Sequence, residues 1–194
     1  MNHPVAQRSS IAAGVGILVL AAGSLSAQII APFADPGATS CTITAPPNVP
    51  TPIYIVALAA PFDGFIEARF RITGLPADLY TTTTIVTDRA SVSGDPFGSG
   101  VNFYFTSCQG PAPVVLFTII LTNLGDAAGN RTIQVERHMM PTNPRFQCPL
   151  MVVCDPPEYT VACVAGGQAF LNGSNECEIA LENVTWGQVK ALYD

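Results

Sequence analysis

Apolar and polar positions alternate with a period of two through much of the middle of the chain. In FIEARFRI, residues 65–72, Ile66, Ala68, Phe70 and Ile72 alternate with Glu67, Arg69 and Arg71. That spacing belongs to a strand with one face in a core and the other in water. Ile53, Ile55, Ala57 and Ala59 repeat it after a proline-rich approach. VNFYF sends Val101, Phe103 and Phe105 one way and Asn102 and Tyr104 the other, and RTIQVER turns Ile133 and Val135 inward. Thr81 to Thr87 is rich in β-branched residues and predicts a further strand. VVLFTIIL, residues 114–121, is apolar on both faces, so its periodicity fits a buried helix or a central strand. The prolines before it and the β-branched residues inside it favour the strand.

The connections support the same architecture. Gly74-Leu75-Pro76 ends one strand, Ser91 to Gly100 reads as a turn-rich stretch, and NLGDAAGN joins two antiparallel neighbours. No long helical pattern lies between these elements, which disfavours parallel strands with crossover helices. The expectation is an all-β fold, an antiparallel β-sandwich of roughly six or seven strands over residues 51–138, with closure into a small barrel as the alternative.

The two ends differ from this body. MNHPVAQRSSIAAGVGILVLAAGSLSA places one basic residue, Arg8, before an apolar run, Ile11 to Ala22, followed by small residues at Ala27. This is a secretory signal pattern, and its apolar run is shorter than a membrane span needs. Residues 1–27 are therefore read as a signal peptide, 28–50 as an extended segment, 51–138 as the sandwich and 139–194 as a cysteine-rich extension packed on it. The extension closes on a short helix at 185–193. Thr185 and Gln188 form a capping box there, Val184 and Val189 a hydrophobic staple, and Trp186, Val189, Leu192 and Tyr193 one apolar face.

Composition sharpens the picture. Lys and Arg total 8 against 14 Asp and Glu, a formal charge of -6, and no lysine precedes Lys190. An acidic chain with so few cations is a poor match for a phosphate backbone, and a Gly-Lys-Ser/Thr phosphate loop is absent. Hydrophobic residues at 48% suffice for a core. The 6 cysteines, Cys41, Cys108, Cys148, Cys154, Cys163 and Cys177, are even in number and all follow the signal. In an exported chain they read as structural disulfides. Their clustering suggests Cys41 with Cys108 and two bridges among the rear four. A four-cysteine zinc site at 148, 154, 163 and 177 is the rival, and it lacks the close Cys-x2-Cys pair of such sites.

Candidate chemistry is sparse. His138 is the one histidine left after processing, and as a general base it would need Ser91 or Ser93 nearby; no Gly-x-Ser-x-Gly elbow occurs. Asp63 and Glu67 are a candidate carboxylate pair, while Glu176, Glu178 and Glu182 read as solubilising charge. No cofactor is indicated. Calcium is the one cation with oxygen-rich loops to consider, around Asp88 and Asp95 and around Asn123, Asp126 and Asn130, although turns favour the same residues. Asn130, Asn172 and Asn183 are glycosylation acceptors where a pathway exists. Tyr104, Phe62 and Phe65 are the candidate ligand-facing aromatics.

GFIEARFRITGLP and the later VVLFTIILTNL resemble strands of cohesin-like and other immunoglobulin-like extracellular modules over roughly residues 51–138. That resemblance implies docking to a small partner module, although the cysteine-rich tail departs from the pattern. FQCPLMVVCDPPEYTVACVAGGQAFLNG with ENVTWGQVKALY is similar to the endings of secreted bacterial proteins that have a β-rich body, and implies an envelope or secreted product. The leading expectation is a non-enzymatic binding or extracellular structural module, secreted, periplasmic or on the cell surface. It would meet an extracellular protein or a glycan, no nucleic acid, and not span the membrane once the signal is cleaved. The alternatives are an extracellular hydrolase using carboxylates and a subunit of a surface assembly joined through a strand edge.

Overall fold

The computed structural model describes residues 28–173 apart from 61, 76, 78, 87–88, 126–129, 141–143 and 156–157. The expected signal peptide, the terminal helix at 185–193, Cys177 and Asn183 lie outside the described residues. The strands in chain order are β1 (Ile29–Phe33), β2 (Thr42–Ile43), β3 (Pro50–Leu58), β4 (Phe65–Thr73), β5 (Tyr80–Val86), β6 (Ala90–Asp95) and β7 (Gly100–Gln109). They continue with β8 (Val114–Asn123), β9 (Arg131–Glu136), β10 (Leu150–Asp155), β11 (Glu158–Cys163), β12 (Ala165–Gly166) and β13 (Gln168–Leu171). One sheet has the order β12-β1-β3-β8-β5, and the other runs β11-β10-β4-β9-β13-β2, with β7 on β4 and β6 on β7. The fold is thus an all-β, mainly antiparallel sandwich.

The alternating runs form strands whose inward residues meet between the sheets. Ile53, Ile55 and Ala57 of β3, Val101, Phe103 and Phe105 of β7, and Ile133 and Val135 of β9 are all buried. Phe70 of β4 and Phe103 of β7 stack almost parallel with Phe117 of β8, at centroid separations of 5.9, 6.1 and 5.5 Å. This stack joins one sheet to the other. β8 is a central strand, flanked by β3 and β5, which accounts for its apolar residues on both faces.

β4 departs from strict alternation. Its pairing with β10 sets Glu67 opposite Val152 and Phe65 opposite Val153, a bulge that gives β4 one extra residue there. Phe65 therefore turns inward with Ala68, Phe70 and Ile72, while Ile66 is only partly buried. Phe65 packs edge-on against Phe105 at 5.6 Å.

The segments expected to lie outside the sandwich are woven into it. β1 is buried throughout and pairs with β3 along Ile29–Phe33. Its Pro32 lacks an N–H, but Gly167 N–H bonds to Ile30 C=O, so the even-numbered backbone groups face β12, which pairs only as far as Ile30. The missing donor thus falls where no partner strand continues. β10 pairs directly with β4, Met151 opposite Ala68, and β13 pairs with β9. Residues 150–171 are hence structural members of the sandwich rather than a flap upon it. Ser91–Gly100, read as a turn-rich stretch, contains all of β6 but Ala90, and each residue of β6 pairs with β7.

The disulfides cross the expected front–rear division. Cys108 bonds Cys154 and Cys148 bonds Cys163; Cys41 is also disulfide-bonded. The Cys41–Cys108 pairing and the four-cysteine zinc site are both overturned, because the thiols they need are consumed elsewhere. Cys108–Cys154 ties β7 to β10 beyond the start of β4. Gly64 sits at that point with φ 143°, accepts a hydrogen bond from Cys154 N–H at 2.9 Å, and leaves no room for a Cβ against the Gln109 carbonyl.

A polar latch closes the opposite end. Asn123 is wholly buried and its Nδ2 donates to the Ala45 carbonyl at 3.1 Å. Asn172 accepts from Ala45 N–H at 2.7 Å and donates to the same carbonyl at 3.1 Å.

Candidate functional site

The outward residues of five adjacent strands fall into rows fixed by the ladder register. Ser91 of β6 lies opposite Tyr104 of β7, Tyr104 opposite Glu67 of β4, Glu67 opposite Val152 of β10, and Val152 opposite Val161 of β11. The next row runs Ser93, Asn102, Arg69, Leu150 and Cys163. Tyr159 stands two residues from Val161 on the same side of β11. Tyr104, Tyr159 and Val161 are 53%, 63% and 42% exposed. Tyrosine can serve such a face because its ring buries apolar area while its hydroxyl stays wet.

Two ion pairs lie on this surface. Arg69 Nε donates to Glu67 within β4, and Arg71 Nη2 donates to Glu136 of β9, whose other oxygen accepts from the Thr73 hydroxyl at 3.0 Å. All four charged side chains are partly withdrawn from solvent by their neighbours. Beside Tyr104 is an open depression of about 360 Å³, lined by Glu67, Arg69, Ser91, Ser93 and Asn102. The result is a shallow, amphipathic sheet face with its charges already paired.

Of the three aromatics proposed from sequence, Tyr104 stands on this face. Phe65 does not: the bulge in β4 puts it in the core. Phe62 is partly buried against that core, in a turn where its N–H bonds to Ala59. Tyr159 and Val161 were absent from the sequence-derived set. Their alternation was visible, but membership of the face depends on β10 joining β4.

The candidate catalytic groups are differently engaged. His138 Nδ1 accepts from Met140 N–H at 3.0 Å, so that nitrogen is not donating to an orienting carboxylate as a triad requires. Burial and the nearby Arg69 charge hold the imidazole below its usual value. Glu67 is committed to Arg69, while Asp63 is exposed in the preceding turn. A larger cleft of about 460 Å³ beside the Cys148–Cys163 bond has Glu136 as its one lining carboxylate, and Arg71 and Thr73 occupy that group.

Loop oxygens considered for calcium also have local partners. Asp95 accepts from Phe97 N–H at 2.9 Å, and Asn123 Oδ1 accepts from Gly125 N–H at 2.9 Å. Asn130 adopts φ 56° at a turn, and Asp88 and Asp126 lie outside the described residues. Among the described residues no group of three or more His, Cys, Asp or Glu is placed to hold a metal ion, and no helix is long and apolar enough to cross a membrane.

No protein-family model matches the chain, and no curated protein matches it in sequence. In three dimensions it is similar to cohesin modules. The seventh ScaB type I cohesin of Pseudobacteroides cellulosolvens aligns with a TM-score of 0.51 at 11% identity, covering 78% of this chain and 96% of that one. The cohesin module of a Clostridium perfringens ATCC13124 family 33 glycoside hydrolase gives 0.49 at 6% identity, covering 75% and 96%. The sixth cohesin of Acetivibrio cellulolyticus scaffoldin B, solved with a Cel5 dockerin, gives 0.48 at 12% identity, covering 75% and 98%. The likeness to the P. cellulosolvens module shows a cohesin-type sandwich, as the resemblance of the strand sequences implied. At such identity it speaks for the fold alone.

Proposed function

We propose that this chain is an extracellular, non-enzymatic binding module that docks another protein through the outer face of β6, β7, β4, β10 and β11. The observation that carries this reading is the register itself. It sets Tyr104 on one side, and Val161 and Tyr159 on the other, of the Glu67–Arg69 ion pair on one shallow surface. Binding hot spots are enriched in tyrosine and arginine, and flat complementary surfaces are how folded proteins meet. A small-molecule enzyme would need a concave, converging polar cleft with carboxylates free to act. The carboxylates nearest this face are instead paired with arginines.

Disulfide-bonded cysteines support an oxidising compartment, and with the signal pattern they support a secreted, periplasmic or surface location. The deciding experiment is affinity capture from an envelope and culture-fluid extract, followed by titration of the captured protein. Tyr104→Ala and Tyr159→Ala should each weaken binding by about 10- to 100-fold, whereas Val49→Ala, an exposed substitution outside the face, should leave it unchanged. Equal binding by all three variants would sink the assignment to this face. Tyr104-dependent binding to a glycan panel, with no protein captured, would make the ligand a sugar.

A further inference from the structure

The geometry points to a second interaction surface, independent of the first: the flank formed by β5 and β6 joins two copies of this chain edge to edge. β5 closes one sheet and β6 the other, and three residues connect them. Three residues reach at most about 10 Å, the spacing of packed sheets, so both edges lie on one side of the sandwich.

Among the described residues β5 pairs only with β8, and β6 only with β7, so each has one unpaired ladder edge. β5 pairs with β8 without a register break along seven residues, YTTTTIV. No charge, proline or bulge blunts it, although these are the usual devices that keep an edge strand from pairing with another chain. β2 and β12, at other sheet edges, are only two residues long.

The inner side of this flank is also uncovered. Val86 lies opposite buried Phe117, and Val92 opposite buried Phe103, so both occupy core-facing rows. They nevertheless remain 38% and 37% exposed. Thr82 and Thr84 share the Val86 side of β5 and are exposed as well. A neighbouring strand on each edge would cover them.

A second copy is the occupant that fits. In antiparallel self-pairing about Thr83, Thr83 meets Thr83 and Thr82 meets Thr84. No charge meets a like charge anywhere along β5, and threonine pairs across strands are favourable. A two-fold axis normal to the sheets also brings β6 toward β6 of the second copy, extending both sheets at once and covering Val86 and Val92. The arrangement is isologous and closes as a dimer.

Sedimentation and light scattering on the disulfide-intact chain test this directly, with Thr83→Lys and Thr83→Glu as paired variants. Thr83 is exposed, and circular dichroism with thermal melting checks that both variants keep the fold. The wild type should run at twice the monomer mass, and each variant alone at the monomer mass. An equimolar mixture should recover the doubled mass, because Lys then faces Glu. A wild type that stays monomeric at its highest attainable concentration overturns the inference. So does a dimer that survives in both variants, since its contact lies elsewhere.

Discussion

The stack of Phe70, Phe103 and Phe117 makes a quantitative demand on the sandwich. Phe117 is 1% exposed and is the only member of the stack from the β8 sheet. Phe117→Ala removes a wholly buried ring from between two partners. Substitutions of this kind cost about 3–5 kcal/mol, from lost transfer energy and the cavity left behind. Each near-parallel ring pair adds about 0.5–1.5 kcal/mol beyond area burial, which places this site at the upper end of that range. For a domain of this size the expected fall in melting temperature is about 10–15 °C. Phe117→Leu keeps most of the apolar volume and should cost about 1–3 kcal/mol, chiefly the ring pairs. Exposed Val49→Ala should stay within about 0.5 kcal/mol. Urea and thermal unfolding with the disulfides intact would measure all three. A cost below about 1 kcal/mol for Phe117→Ala would refute the account of the stack as the joint between sheets.

His138 and Asn172 give two further tests. Burial and the Arg69 charge depress the folded-state pKa of His138 below 6.5, so the unfolded chain binds the proton more readily. This contribution to stability is present above pH 6.5 and is lost as the pH falls toward the depressed value; the wild type should therefore lose stability relative to His138→Gln over that interval, and parallel pH–stability curves would contradict it. Asn172→Gly removes two hydrogen bonds to Ala45 while tolerating φ 53°, and should cost about 1–3 kcal/mol. Asn172→Ala should cost about 1 kcal/mol more, because it adds left-handed strain; equal unfolding midpoints for the two would remove the backbone part of this account.

What the sequence disclosed depended on how far apart the interacting residues lie. Val101, Phe103, Phe105, Ile133 and Val135 were assigned inward by alternation alone, and Tyr104 outward by the same rule. Phe65 was misplaced because a bulge changes the parity of a strand, and the signal for it is its pairing with β10. β6 was missed because an edge strand exposed on both faces has no apolar period to betray it. The rear section looked separate because its prolines and cysteines change the local composition. Its attachment is a pairing of Leu150–Val153 with Phe65–Arg69, remote in the chain and invisible to any local window. For the same reason, clustering of cysteines in sequence misled. Cys108 and Cys154 are brought together by strands on opposite edges of β4.

That attachment also divides the labour on the candidate docking face. β4 alone supplies Glu67, Arg69 and Arg71, charges already paired before a partner arrives. Exposed ion pairs add little stability, about 0–1 kcal/mol, but a docking surface would exclude water from them and strengthen their fields. A partner with mismatched charges then meets a desolvation penalty, while one with complementary groups satisfies the remaining donors and acceptors. Under the proposed docking, adhesion would come from the strands on either side: β7 presents Tyr104, and β11 presents Tyr159 and Val161. The Cys108–Cys154 bond ties β7 to β10, and β10 carries β11 through an unbroken six-residue ladder. It therefore fixes the separation of the two aromatic positions across the charged centre. On this account the face is recognised by its spacing as much as by its residues, and the disulfide belongs to the binding geometry as well as to the stability of the fold.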